Sequence, residues 1–152
     1  MEEKTTKNKI LFNLLAPNQE LKSSIENVID KKFELILPLS KIDDEIVIGL
    51  AYKNSNCKKF SKEHILDLYT DSSLLFYKLA IDKFFIIDEK ILKDNSSDFQ
   101  GEKIGKSLSE YNEIKILKTL TKILNTFGQN IDIYKISLNP EYNKVKTTVF
   151  SS

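Results

Sequence analysis

The apolar positions of this chain fall into two kinds of run. Residues 33–39 and 45–52 hold nearly continuous apolar stretches, Leu35-Ile36-Leu37 and Ile46-Val47-Ile48, which predict two strands. The intervening Ser40-Lys41-Ile42-Asp43-Asp44 has the length of a hairpin connection. A sheet wet on one side would alternate apolar and polar positions. These positions do not alternate, so both faces of the pair should be covered, one by helices and the other by further protein or a ligand-filled cavity. Residues 131–138 and 144–150 predict a second pair of strands, joined through Asn139-Pro140-Glu141, with proline where a type I turn favours it.

Elsewhere the apolar residues follow a helical period. Asn18 suits an N-cap for a helix to about Asp30, with Leu21, Ile25, Val28 and Ile29 on one face. Ser61 suits a second N-cap. After it Ile65, Leu68, Ser72, Leu75 and Leu79 step by three and four, while Asp67, Asp71, Lys78, Asp82, Glu89 and Lys93 keep that period on another face. This phasing predicts one helix over 61–93, although Phe84-Phe85-Ile86-Ile87 also fits a short strand. Ser107 and Glu110 form a capping box ahead of Leu108, Tyr111, Leu117, Leu120, Leu124 and Phe127, a helix that Gly128 would end. Residues 9–16 form a short apolar segment stopped by Pro17, open between helix and strand. Residues 1–9 read as a disordered N-terminus and 10–152 as a single domain. Within it lies an internal linker over 94–103, centred on Asp94-Asn95-Ser96-Ser97-Asp98-Phe99-Gln100-Gly101.

Composition narrows the chemistry. At 152 residues and 41% hydrophobic content the chain can build one core. Its formal charge is +1, and all 23 cationic side chains are lysine. No arginine fork is available for guanine or phosphate, and Lys58-Lys59 and Lys144/Lys146 are too sparse for a nucleic-acid stripe, so no nucleic-acid partner is expected. The charged density of residues 74–92 argues against a membrane span, and the charged Met1-Glu2-Glu3-Lys4 is unlike a secretion signal. One cysteine, Cys57, excludes an internal disulfide and points to a reducing, cytoplasmic setting. With His64 the sole imidazole, a structural zinc site cannot form within one chain.

Candidate chemistry is thin. His64 reads as a solvated helix residue and Cys57 as a loop thiol. The adjacent acids Asp43-Asp44 and Asp88-Glu89 read as surface carboxylates, and Gly101-Glu102-Lys103-Ile104-Gly105-Lys106 lacks the spacing of a phosphate loop. No catalytic residue, metal site or cofactor is expected. The aromatic residues Tyr52, Phe60, Tyr134 and Tyr142 lie at strand ends or loops where pocket walls would be, and Tyr52, Phe60 and Tyr134 are the candidate ligand-binding residues.

Leu37-Pro38-Leu39, Ile48-Gly49-Leu50 and Phe60-Ser61-Lys62-Glu63 together resemble the closing half of a GAF domain, and residues 108–150 are similar to its opening half, a helix feeding a hairpin. The halves stand in permuted order, hairpin–helix–helix–hairpin. Three accounts fit: a circular rearrangement with the strand after Ile46 beside the strand after Ile131, two chains exchanging halves, or a chain straddling two degenerate units. The GAF-type methionine sulfoxide reductases use several cysteines, which excludes that branch. The resemblance implies an α/β (α+β) fold, an antiparallel sheet of four to five strands covered on one face by two long helices. It also implies a non-catalytic sensory or regulatory module. Such a module would be a homodimer through the stripes of helices 61–93 and 107–127, binding a small molecule. The alternative is a structural or adaptor protein that meets a protein partner through those helices or an exposed strand edge.

Overall fold

A computed structural model describes residues 10–53, 65–69, 76–80, 82–103 and 132–151. In chain order the elements are β1 (Asn13–Pro17), α1 (Gln19–Ile29), β2 (Leu35–Ile42), β3 (Glu45–Lys53), β4 (Ile65–Tyr69), β5 (Phe76–Ala80), β6 (Lys83–Asp88), α2 (Glu89–Asp94), β7 (Ser96–Lys103), β8 (Asp132–Asn139) and β9 (Lys144–Ser151). The nine strands of the described residues belong to one sheet, whose main path runs β7-β1-β2-β3-β6-β8-β9. Neighbours are antiparallel except β6 and β8, which run parallel.

Strand β3 is the branch point. One of its edges pairs along its length with β2. The other is shared: Glu45–Ile48 pair with β6, and Ala51–Lys53 pair with β5, which in turn pairs with β4. Between the two partners sits Gly49. A Cβ there would lie 2.8 Å from the Leu79 Cδ1 methyl and 3.4 Å from that of Leu39, so the missing side chain lets Leu79 close over the strand.

The sheet carries a core on each side. On one face Leu21, Ile25 and Ile29 of α1 pack with Ile36, Ile46, Ile48, Leu50, Phe85, Ile87 and Ile136. On the other, Leu14, Leu35, Leu37, Leu39, Leu68, Tyr77, Leu79 and Phe84 meet, with Phe12 and Phe99 against them. Tyr77 of β5 and Phe99 of β7 touch edge to face at 6.2 Å, so the sheet curls round this second core. This is why residues 35–39 of β2 are buried without alternation, as their pattern predicts.

The expected antiparallel sheet of four to five strands under two long helices is not what forms. The described residues are mainly strand, with two short helices and a curled mixed sheet. Within 61–93, the described residues form β4, β5 and β6 before the short α2. Tyr77 and Leu79 face the second core with Lys78 between them, a period-two pattern hidden inside the helical spacing of Leu68, Leu75 and Leu79. The backbone edge of β3 needs hydrogen-bond partners once it is buried, and β5 and β6 supply them. Of the two helices through which a dimer is expected, 61–93 is replaced by these elements among the described residues, and the one expected over 107–127 lies outside them.

Most of the expected linker over 94–103 is also a strand, Ser96–Lys103, with Asp94 and Asn95 ending α2. β7 pairs with β1 through Pro17↔Ser96, Ala16↔Ser97, Leu15↔Asp98 and Asn13↔Lys103. It ends the sheet and can stay polar, because Phe99 is the side chain it presents to the second core. Of residues 9–16, ambiguous in sequence, Asn13 to Ala16 fall in β1, entered through Phe12 at φ 61. The strands after Ile46 and Ile131 do share a sheet, but β6 lies between them.

Local signals hold where they are self-contained. Asn18 caps α1, its side chain accepting from the Leu21 N–H at 2.9 Å. It also ties α1 to the end of α2, through Asn18 Nδ2 donating to Asn95 Oδ1 at 3.0 Å and the Asn18 N–H donating to the Asn95 carbonyl at 2.7 Å. Asp30 ends the helix in the left-handed region at φ 56.

Two substitutions test this packing. Asn18→Ala should lower stability by about 1 kcal/mol or somewhat more, since it removes a cap and a tie together; an unchanged denaturation midpoint would contradict the role. Gly49→Ala should cost on the order of 1 kcal/mol by forcing the buried Leu79 aside, read as a lower urea midpoint at constant slope. A raised midpoint would mean that the approach of Leu79 is not tight.

Candidate functional site

Of the candidate ligand-binding residues, Tyr52 is 2% and Tyr134 7% exposed, and both belong to the core under α1. Tyr134 stacks on Phe85 with centroids 5.0 Å apart and planes at 18°. Burial, then the carboxylates of Asp132 and Asp82, push its phenol pKa up against the opposing Lys83, so the ring stays neutral. Phe60, Cys57 and His64 lie outside the described residues. Tyr142, in the β8–β9 turn, faces solvent.

The acidic pairs come together at one end of the sheet. Asp43 turns the β2–β3 hairpin with φ 55, and the Asp44 carbonyl accepts from the Glu89 N–H at 2.8 Å. Asp88 caps α2 through the Lys90 N–H. Glu89 pairs with Lys41 at 3.0 Å and Lys93 at 3.3 Å, and Glu45 with Lys135 at 3.4 Å. The carboxylates of Asp88, Glu89 and Glu45 are thus taken up by a cap and ion pairs, while Asp43 and Asp44 contribute a turn conformation and a main-chain carbonyl. Asp82 and Asp132 stand at the starts of the parallel strands, with Lys83 Nζ 3.4 Å and 3.8 Å from them, while Asp82 Oδ1 is buried without a hydrogen-bond partner. No group of three or more His, Cys, Asp or Glu able to hold a metal occurs among the described residues.

The β8–β9 hairpin differs from the rest. Its turn is held by Asn139, whose Oδ1 accepts from the Glu141 N–H at 3.0 Å and whose carbonyl accepts from Asn143 at 2.7 Å. Asn143 closes the turn at φ 53. Ladder pairing places Leu138 opposite Val145 and Val149 opposite Tyr134, all on the α1 face. α1 covers the middle of that face: Ser24 Oγ lies 2.7 Å from Thr147 Oγ1, and the Val145 N–H donates to Glu20 Oε2 at 2.7 Å. Beyond its reach Leu138, Tyr142 and Val149 are exposed. On the opposite face of β9, Lys144, Lys146 and Thr148 are exposed too.

Lys144 and Lys146 are legible in the sequence, where they are too sparse for nucleic acid. Leu138 and Val149 are not, because an apolar residue in a strand reads as core until the extent of the covering helix is known. No helix among the described residues is long and apolar enough to cross a membrane. The chain matches no protein-family model, no curated protein and no solved structure.

Glu89 gives a pH test. The hydrogen bond from Lys41 lowers its pKa most; burial opposes this, and Lys93 lowers it further. A carboxyl whose folded pKa is depressed contributes stability above its unfolded value and loses it as pH falls through the folded one. Glu89→Gln should therefore destabilise at neutral pH, by no more than about 1 kcal/mol for a pair this exposed. The gap from the native chain should close below the usual glutamate range. A gap constant down to that acidity would contradict the ion pairs.

Proposed function

We propose that this protein is a non-catalytic interaction module, regulatory or adaptor in role, whose β8–β9 hairpin meets a protein partner. The observation that carries the reading is the distribution of exposed apolar surface. Among the described residues four large apolar side chains are exposed, and three of them, Leu138, Tyr142 and Val149, sit on this hairpin. Exposed apolar side chains gathered on one element, with a tyrosine and a charged rim, suit a protein interface. Two of the aromatics behind a small-molecule reading, Tyr52 and Tyr134, are part of the core, and the acids behind a catalytic or metal reading are engaged in caps, turns and ion pairs. These placements favour contact between proteins over ligand sensing.

The test compares the native chain with Tyr142→Ser and Val149→Thr, changes at exposed positions that leave the melting temperature nearly unmoved. A partner recovered with the native chain should rebuild a stoichiometric complex from purified components and bind each variant at least tenfold more weakly. Equal affinity for all three proteins would remove the hairpin from the interface. Failure of any purified complex to form would remove the adaptor role.

A further inference from the structure

Strand β9 ends the sheet, and among the described residues it pairs only with β8. Its backbone shows which groups face outward. The Val145 N–H leaves the β8 ladder for the Glu20 carboxylate, and in an antiparallel ladder outward residues alternate with paired ones. Val145, Thr147 and Val149 therefore turn their peptide groups away from β8. Side chains sort by the same alternation. Val145 and Thr147 lie beneath α1, Val149 is exposed beyond them, and Lys144 and Lys146 project from the other face.

We propose that this outer edge takes an extended acidic segment of a partner protein as an added strand. Acidic residues at alternate positions would face Lys144 and Lys146, and apolar residues between them would cover Val149. The proposal rests on the interaction-module reading and names the chemistry of its partner.

Two observations carry it. Neither lysine forms an ion pair among the described residues, and both stand exposed on one face of the edge strand. The local positive charge belongs to this strand and not to the chain, whose formal charge is +1. Glu20 also demonstrates the chemistry of the edge, its carboxylate oxygen accepting from the outward Val145 N–H at 2.7 Å. The added strand leaves that contact in place and uses the Thr147 N–H with the carbonyls of Val145 and Thr147. Main-chain bonds then supply affinity and the alternating side chains supply selection. A second copy suits the edge less well, since joining two β9 edges would gather four lysines across strands about 4.8 Å apart, a use of edge lysine that discourages self-pairing.

The probe is a labelled octapeptide of alternating Glu and Val, titrated into the purified full chain, with amide exchange followed at Thr147. The expected result is saturable binding that weakens with added salt, slower exchange of the Thr147 amide, and at least tenfold weaker binding to Lys144→Glu/Lys146→Glu. The matching Lys/Val peptide should not bind. Absence of saturable binding overturns the proposal, as does binding indifferent to charge reversal or binding that leaves Thr147 unprotected. Protection of Thr147 that grows with protein concentration without peptide would assign the edge to a second copy and overturn it too. Loss of a purified partner by Tyr142→Ser together with failure of the octapeptide would leave the hairpin reading standing and remove the acidic strand alone.

Discussion

Everything in this molecule is arranged around the burial of β3 on both faces and both edges. A strand so enclosed must have each peptide group paired within the sheet, because water cannot reach it. β2 satisfies one edge. No single partner satisfies the other, and it is divided between β5 and β6. That division sends β4 and β5 out of the main path and bends the sheet about the second core, while β6 carries it on to β8 and β9. Gly49 stands at the point of division, where a neighbouring leucine comes closest.

From that constraint follow two cores with different covers. α1 roofs the first, held by its cap on Asn18 and by the bond between Asn18 and Asn95. The sheet's own curl covers the second, where β5 and β7 bring Tyr77 against Phe99. α1 spans only part of the first face. Ser24 and Glu20 fasten it to β9, and the hairpin beyond is left with apolar side chains in solvent. The proposed interface is thus a consequence of helix length: an eleven-residue α1 is about 16 Å long at 1.5 Å per residue, too short to cover the hairpin end to end.

The polar inventory is consistent with that division of labour. Acids that look like chemistry in sequence become scaffolding in the fold, as Asp88 does in capping α2 and Glu89 in joining α2 to Lys41 of β2. Lysines on the inner strands are neutralised by neighbouring strands, as Lys135 is by Glu45 across β6. Among the described residues no strand lies beyond β9 to provide an acid, and Lys144 and Lys146 present their charge outward.

What the sequence settles by itself is local. The α1 cap, the β2–β3 hairpin, the β8–β9 hairpin and the covering of both faces of β2 and β3 are legible because each signal lies within a few residues. The continuous run at Leu35-Ile36-Leu37 can satisfy its burial only between two layers. β4, β5 and β7 were not legible, and β6 was so only as the alternative strand at Phe84-Phe85-Ile86-Ile87. A spacing of three and four contains a spacing of two, so Leu68, Tyr77 and Leu79 fit a helix until the open edge of β3 demands strands. A polar edge strand such as β7 likewise looks like a linker until β1 is seen beside it. The exposed apolar hairpin was hidden for a related reason. Whether Leu138 and Val149 are covered depends on where α1 stops over β9, a distance in space that no neighbouring residue encodes.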